Sequence, residues 1–253
     1  VIGGGDPGAA IAAFRRLGRA GEETRALERL AREPAQQRAM EQFRRAVERA
    51  PDIRAALRDP RVLQVVAVAM GIPDGGEQPG LALRALLQDP GQPESLVNRL
   101  PDRRWKAAAD ALRLDQRGIA ALRDPVVQNR LRDGLLRARW REQLETSQPG
   151  LGDAQLFRDT AGTADGPFGV LGNPVLRRVV TGALGLPPQL AIQSVETQAR
   201  ALQSRLDLDK LKDPKEVQRL AERYLISRAR EESAGANPLL ALGLPPGGLR
   251  LLA

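Results

Sequence analysis

The chain has 253 residues, 39 basic and 31 acidic, for a formal net charge of +8, and it contains neither cysteine nor histidine. Without Cys there is no disulfide frame, zinc finger or iron–sulfur cluster. Without His there is no Ser–His or Cys–His nucleophile pair, and the commonest metal ligand and neutral-pH acid–base group are gone.

Hydrophobic residues make up 42% of the chain but aromatics only 3%, so Leu, Val, Ile and Ala must do the packing. Those residues and Arg favour helices, and strand-like runs of β-branched or aromatic residues are nearly absent. Only four basic residues are Lys (Lys106, Lys210, Lys212 and Lys215); the rest are Arg, which, with the wealth of Ala, Gly, Pro and Leu, looks like GC-rich coding bias. The longest apolar run, residues 65–70, is far short of the roughly 18–20 residues of a membrane span. No secretory leader pattern opens the chain.

Taken in order, residues 1–33 are expected as an N-terminal helical lead-in. Gly3, Gly5 and Gly8 fit the dinucleotide-binding spacing G-x-G-x-x-G, but only Val1 and Ile2 stand where a strand is required. Residues 34–160 form the first helical half. Met40, Phe43 and Val47, then Val62, Val65, Val66 and Ala69, then Val127, Leu131, Leu135 and Ala138 recur at helical spacing. Residues 161–172, with Gly162, Gly166, Gly169 and Gly172, are expected as a linker between halves. Residues 173–234 form the second half, where Val195, Ala199, Leu202 and Leu206 and then Val217, Leu220, Tyr224 and Leu225 continue the pattern. The Gly/Pro/Leu-rich tail, 235–253, is a candidate partner-binding or self-docking segment.

Helix starts are marked by Asp6-Pro7, Asp59-Pro60, Asp124-Pro125, Asn173-Pro174, Asp213-Pro214 and Asn237-Pro238. Asp or Asn accepts an orphan backbone donor there, and Pro's missing N–H costs nothing at the first helical position. Asp213 to Glu216 adds a capping-box pattern. Stops are expected at Gly71, Gly118, Gly150, Gly185 and Gly235. The result is an all-α, multi-helical fold of roughly ten to twelve helices.

Residues 59–73, DPRVLQVVAVAMGIP, align without gaps on 173–187, NPVLRRVVTGALGLP, at an offset of 114. This predicts two related helical halves packed together. Two copies are too few for a solenoid.

Residues 99–141 hold twelve of the basic residues against five acids, nearly the whole net excess. Such a region can attract an acidic partner or phosphate. Arg103, Arg104, Arg130, Arg132, Arg137, Arg139 and Arg141 are the candidate interaction surface, with solvated helix face as the plainer reading. No helix-turn-helix or aromatic stacking platform accompanies them. No P-loop, nucleophile elbow or metal-ligand spacing occurs, so no catalytic, cofactor-binding or metal residue is assigned.

The run Asp89-Pro90, Pro93, Ser95, Asn98-Arg99-Leu100, Asp102 and Arg104, preceded by Met70-Gly71-Ile72, is distinctive. It resembles the bacterial family called domain of unknown function 1217. The later block from Leu171-Gly172-Asn173 to Pro187, then Gln198, Leu202, Asp213-Pro214 and Tyr224-Leu225, agrees in order. Ala109 and Leu112 stand where that family prefers aromatics. The resemblance implies an alphaproteobacterial protein from a flagellar gene neighbourhood and no established activity. It makes Asn98, Arg99, Asp102 and Arg104 a structural cap and ion-pair cluster. The expectation is a non-enzymatic flagellum-associated structural or assembly protein, in the cytoplasm or the flagellum. Its partners would be other flagellar or assembly proteins, without a cofactor. The alternative is an anion- or nucleic-acid-binding helical module built on residues 99–141.

Overall fold

The Asx-Pro punctuation does its work at helix starts. Asp6, Asp59, Asp124, Asn173 and Asp213 each accept a backbone N–H two residues on, at 2.8–3.0 Å, and a helix follows each. In the computed structural model, which describes residues 6–236, these caps open helices of an all-α chain with no strand among the described residues. Glu216 does not close a capping box; it pairs with Arg219 at 2.5 Å. Asn237 lies outside the described residues.

In chain order the helices are α1 (Pro7–Leu17), α2 (Glu22–Ala31), α3 (Pro34–Arg49), α4 (Ile53–Arg58), α5 (Pro60–Ala69) and α6 (Pro79–Leu87). Next come α7 (Leu96–Arg99), α8 (Arg104–Leu112), α9 (Leu114–Arg117), α10 (Ile119–Arg123) and α11 (Pro125–Ser147). The series ends with α12 (Leu151–Thr160), α13 (Gly166–Leu171), α14 (Pro174–Ala183), α15 (Val195–Gln203) and α16 (Pro214–Ala236). More helices form than periodicity suggested, because α4, α7, α9, α10 and α13 are one or two turns long and carry too few residues to show a stripe. Gly71, Gly118, Gly150 and Gly185 sit at positive φ where stops were expected, whereas α16 runs on through Gly235.

Two compact units form. One is Ala20–Glu142; the other combines residues 6–19 with 143–236, so the boundary falls within α11. Residues 161–172 are not a connector between them. They form a 3₁₀ turn, Ala161–Thr163, and α13, and Val170 and Leu171 are buried in the second unit's core. Among their glycines, Gly166 provides a helix entry at positive φ. Residues 1–33 likewise do not act as one lead-in. Phe14 of α1 is fully buried in the second unit's core, and Arg15 pairs with Glu222 of α16 through two hydrogen bonds of 2.8 and 2.9 Å.

The first unit's core gathers Phe43, Val47, Leu57, Val62, Val66, Leu86, Leu112, Leu122 and Leu131. The second unit's core gathers Phe14, Phe157, Val170, Val179, Val180, Leu202 and Leu225. The sequence echo is structural at atomic detail. After α5, Ile72 N–H bonds the Ala67 carbonyl at 2.8 Å and Gly71 N–H bonds that of Val68 at 3.0 Å. After α14, Leu186 N–H bonds Thr181 at 2.9 Å and Gly185 N–H bonds Gly182 at 3.1 Å. These are Schellman-type closures, and they coincide at the offset of 114.

The same offset extends upstream, where the sequences no longer look alike. Phe43 matches Phe157, Ala56 matches Val170 and Leu57 matches Leu171, and all six are buried. In one unit α3 and α4 pack on α5; in the other α12 and α13 pack on α14. A 3₁₀ turn follows each repeat helix, but the two differ. In the first, Pro73–Glu77 lies on α5, with Gly75 buried so close to Trp105 that a Cβ would stand 3.0 Å from the ring. In the second, Pro188–Ile192 buries no residue. The position matching Trp105 is Arg219, so the covering side chain is missing.

Close packing in the first unit depends on Gly134 of α11, where a Cβ would land on the Ala69 carbonyl oxygen and 3.0 Å from its carbon. Helix propensity alone favours Gly134→Ala by about 1 kcal/mol. Overpacking against rigid backbone works the other way, by about 1–3 kcal/mol. Gly134→Ala is therefore expected to destabilise the chain, seen as a lower urea midpoint; an unchanged or raised midpoint contradicts the close approach.

Candidate interaction surface

The family-like run folds as a loop that bonds to itself. Asp89 takes the Gly91 N–H at 2.9 Å, and its backbone carbonyl takes the Ser95 hydroxyl. Asn98 donates its amide to the carbonyls of Pro90 and Gln92, at 3.1 and 2.7 Å. Gln88 accepts the Leu96 N–H at 2.6 Å. Arg113, at the junction of α8 and α9, reaches back to Asp89 at 3.3 Å and to Asp115 at 3.0 Å, from a left-handed backbone at φ 47°. The Gly91 bond, first among several, holds the Asp89 carboxyl below its ordinary range. Gln88 and Arg113 carry no sequence signal, because their partners are set by how the loop closes.

Arg104 is the most constrained of the seven candidate arginines. Its guanidinium grips Asp102 with bonds of 2.7 and 3.0 Å and also donates to the Gly71 carbonyl. It thus ties the start of α8 to the closing turn of α5, where a cation also complements the helix dipole. Three of the others are stitched along their own helix or to a neighbour. Arg132 pairs with Asp133 at 2.9 Å, Arg139 with Glu142 at 2.7 Å and Arg137 with Glu23 of α2 at 3.3 Å. Arg130 is exposed and donates to the Ala111 carbonyl at 3.2 Å. The Arg103 side chain is exposed, and Arg141 is half-buried. Arg99, grouped with Asn98 and Asp102 by sequence, points out to solvent and joins no cluster. The candidates therefore include a staple, Arg104, and surface pairs of small individual worth.

The second unit holds a polar node that sequence reading did not single out. Asp153 of α12 takes two bonds from Arg178 of α14, at 2.8 and 2.9 Å, and one from the Tyr224 hydroxyl of α16 at 3.1 Å. The Tyr224 ring is wedged between glycines. A Cβ on Gly182 would lie 2.9 Å from the ring and one on Gly150 3.3 Å from it. Glu145 meanwhile accepts the N–H groups of Gly150 and Gly152 at the start of α12. Burial, and then the Asp153 charge, raises the Tyr224 phenol well above its usual value of 10.0. Three helices meet at this node through one carboxylate, so it orders the unit. Among the described residues, no group of three acidic side chains is placed to hold a metal ion.

Two measurements check these assignments. Arg104→Gln should cost about 1–3 kcal/mol of stability in denaturant unfolding, whereas Arg130→Gln should stay within about 0.5 kcal/mol. Equal effects would show that the Gly71 and Asp102 bonds carry no special weight. Tyr224 is the chain's single tyrosine, so ultraviolet titration reports on it alone. The fold needs the neutral phenol, and its contribution is present below pH 10 and lost as pH rises beyond it. No tyrosinate absorbance should develop at pH 10.5 while the chain stays folded; a midpoint near 10 would contradict the buried node.

The sequence profile of the family described as "Protein of unknown function (DUF1217)" matches residues 77–217, from just before α6 to the first turn of α16. That span includes the self-bonded loop, the second repeat helix and the Asp153–Arg178 pair. No curated protein sequence matches the chain. The X-ray crystal structure of protein AGR_C_984 from Agrobacterium tumefaciens is similar in fold, with a TM-score of 0.72. The alignment covers 87% of this chain and 92% of that one, at 20% identity. The profile covers more than half of the chain, and the motif it spans is the loop whose hydrogen bonds are described above: the chain belongs to the DUF1217 family.

Proposed function

We propose that this chain is a non-enzymatic structural or assembly protein of the bacterial flagellum, acting through protein–protein contacts in the cytoplasm or in the flagellum itself. The observation that carries the contact part is a difference between the repeats. The turn that Trp105 covers in the first unit has an uncovered counterpart in the second, where Ile192 is 89% exposed and Val195 49%. Phe168, on α13, which packs on α15, is 56% exposed. Ile192 lies on the turn, Val195 on α15 and Phe168 on α13, and α15 touches the other two elements. Exposed large apolar side chains on neighbouring elements are a feature of partner-binding surfaces. The flagellar setting rests on the family resemblance and its gene neighbourhood. No helix among the described residues is long and apolar enough to cross a membrane.

A second reading, binding of an anion or nucleic acid by residues 99–141, is supported by the open Arg99 and Arg103. Titration with duplex and single-stranded nucleic acid at two salt concentrations tests it. Absence of salt-dependent binding at micromolar protein removes it.

The main reading is tested by deleting the gene and restoring it. Loss of the gene should impair flagella or swimming, and the native gene should rescue. Ile192→Asp with Val195→Asp should fail to rescue, although unfolding stability changes by no more than about 0.5 kcal/mol per exposed site. Normal swimming of the deletion strain defeats the flagellar assignment, and full rescue by the double variant defeats the surface.

A further inference from the structure

In the first unit, the end of α2, residues 36–44 of α3 and the middle of α11 line a hollow of about 150 Å³ that opens to solvent. Its lining divides by chemistry. Ala31, Met40, Leu135 and Leu136 form an apolar wall, and the last three are no more than 5% exposed. Gln36, Gln37, Arg44 and Arg132 form the polar side, and no carboxylate lines the space. Helix periodicity explains the arrangement. Gln36, Met40 and Arg44 are spaced by four residues on α3, and Arg132 stands three and four before Leu135 and Leu136 on α11.

The two guanidinium groups are only partly used by the protein. Arg44 donates through Nε to Gln128 at 3.2 Å. Arg132 gives Nε and Nη2 to Asp133 at 3.0 and 2.9 Å. Both terminal nitrogens of Arg44, and Nη1 of Arg132, make no hydrogen bond within the described chain. Donors without acceptors at the rim of an apolar hollow suit a ligand with a greasy body and an anionic head.

We propose that this cavity binds a short aliphatic carboxylate. Its hydrocarbon lies against Met40, Leu135 and Leu136, and its carboxylate meets Arg44 and Arg132 in charge-assisted hydrogen bonds. A hollow of this volume has room for about six carbon atoms, the size of benzene, which sets the chain length. The same chemistry comes from two sources: a free acid of about six carbons, or the C-terminal residue of a polypeptide with an aliphatic side chain. In the second case the Gln36 and Gln37 amides face the peptide group. The site stands independently of the flagellar reading and of the exposed apolar residues of the other unit.

The test uses the full chain labelled at its methionine methyl groups. The chain has two methionines; Met40 lines the cavity and Met70, at the end of α5, does not. Hexanoate should shift the Met40 methyl resonance saturably, with Kd about 1 mM, and leave Met70 in place. Hexanol and hexylamine should bind at least fivefold more weakly. Arg44→Gln combined with Arg132→Gln should weaken hexanoate about tenfold while hexanol binding is kept, a split that general damage to the fold does not produce. A peptide ending in Leu with a free carboxylate, compared with its amide, separates the sources. Tenfold tighter binding than hexanoate, lost on amidation, identifies a polypeptide terminus; binding no tighter than hexanoate identifies a free acid. No saturable Met40 shift with any carboxylate, or equal affinity for hexanol and hexanoate, overturns the proposal.

Discussion

Short helices have many ends, and every end leaves backbone N–H or C=O groups that the helix cannot satisfy. This chain uses helices as short as four residues, α7 and α9, so that demand dominates its chemistry. The acids are spent on it. Asp6, Asp52, Asp59, Asp89, Asp102, Asp124, Asp207 and Asp213 all accept backbone N–H groups at the start of a helix or turn. Asn173 and Ser194 do the same for α14 and α15. Glycines at positive φ close the other ends, and Arg104 supplies a donor to the exit of α5. Four arginines pair with these capping acids: Arg61 with Asp59, Arg104 with Asp102, Arg113 with Asp89 and Arg117 with Asp124.

The duplicated arrangement shows what such scaffolding leaves variable. The repeat helices α5 and α14 keep their caps, Schellman closures and buried valines, because each of those features is needed to end or bury a helix. The segment after them is under no such demand. Trp105 folds the first turn onto its helix, and Arg219 at the matching position cannot. Gly75 of the first turn is buried and no residue of the second is, although both follow the same Gly-aliphatic-Pro signal. The difference provides an apolar outer face in one unit without disturbing either core.

Much of the fold was legible because its determinants are local. Asx-Pro pairs, positive-φ glycines and periodic aliphatic residues act over a few residues, and Met40, Phe43, Val47, Val62, Val65, Val66, Ala199, Leu202 and Leu206 of the predicted core stripes are buried, whereas Ala69 is half-buried and Val195 is 49% exposed. The echo between 59–73 and 173–187 was also legible, since identical capping chemistry demands similar residues. Its extension to Phe43 and Phe157 was not, because between those points only burial is kept and many aliphatic residues satisfy burial equally. Within the candidate surface, the Asp102–Arg104 pairing could be read from proximity in sequence. The role of Arg104 at Gly71, 33 residues away, could not.

The division into units lies beyond local signals altogether. Residues 161–172 look like a linker because glycine is common in linkers, yet glycine also opens α13 at positive φ. Phe14 belongs to the second unit's core because long-range packing puts it there, not because of anything in α1 itself. The same holds for Asp153, Arg178 and Tyr224, drawn from three helices, and for the hollow between α3 and α11. Caps, breaks and apolar stripes follow from neighbouring residues, so composition and spacing alone establish an all-helical chain without histidine or cysteine chemistry. Which stripes meet, which arginines are consumed and which apolar residues stay outside depend on side chains distant in sequence, and only packing in three dimensions brings those together.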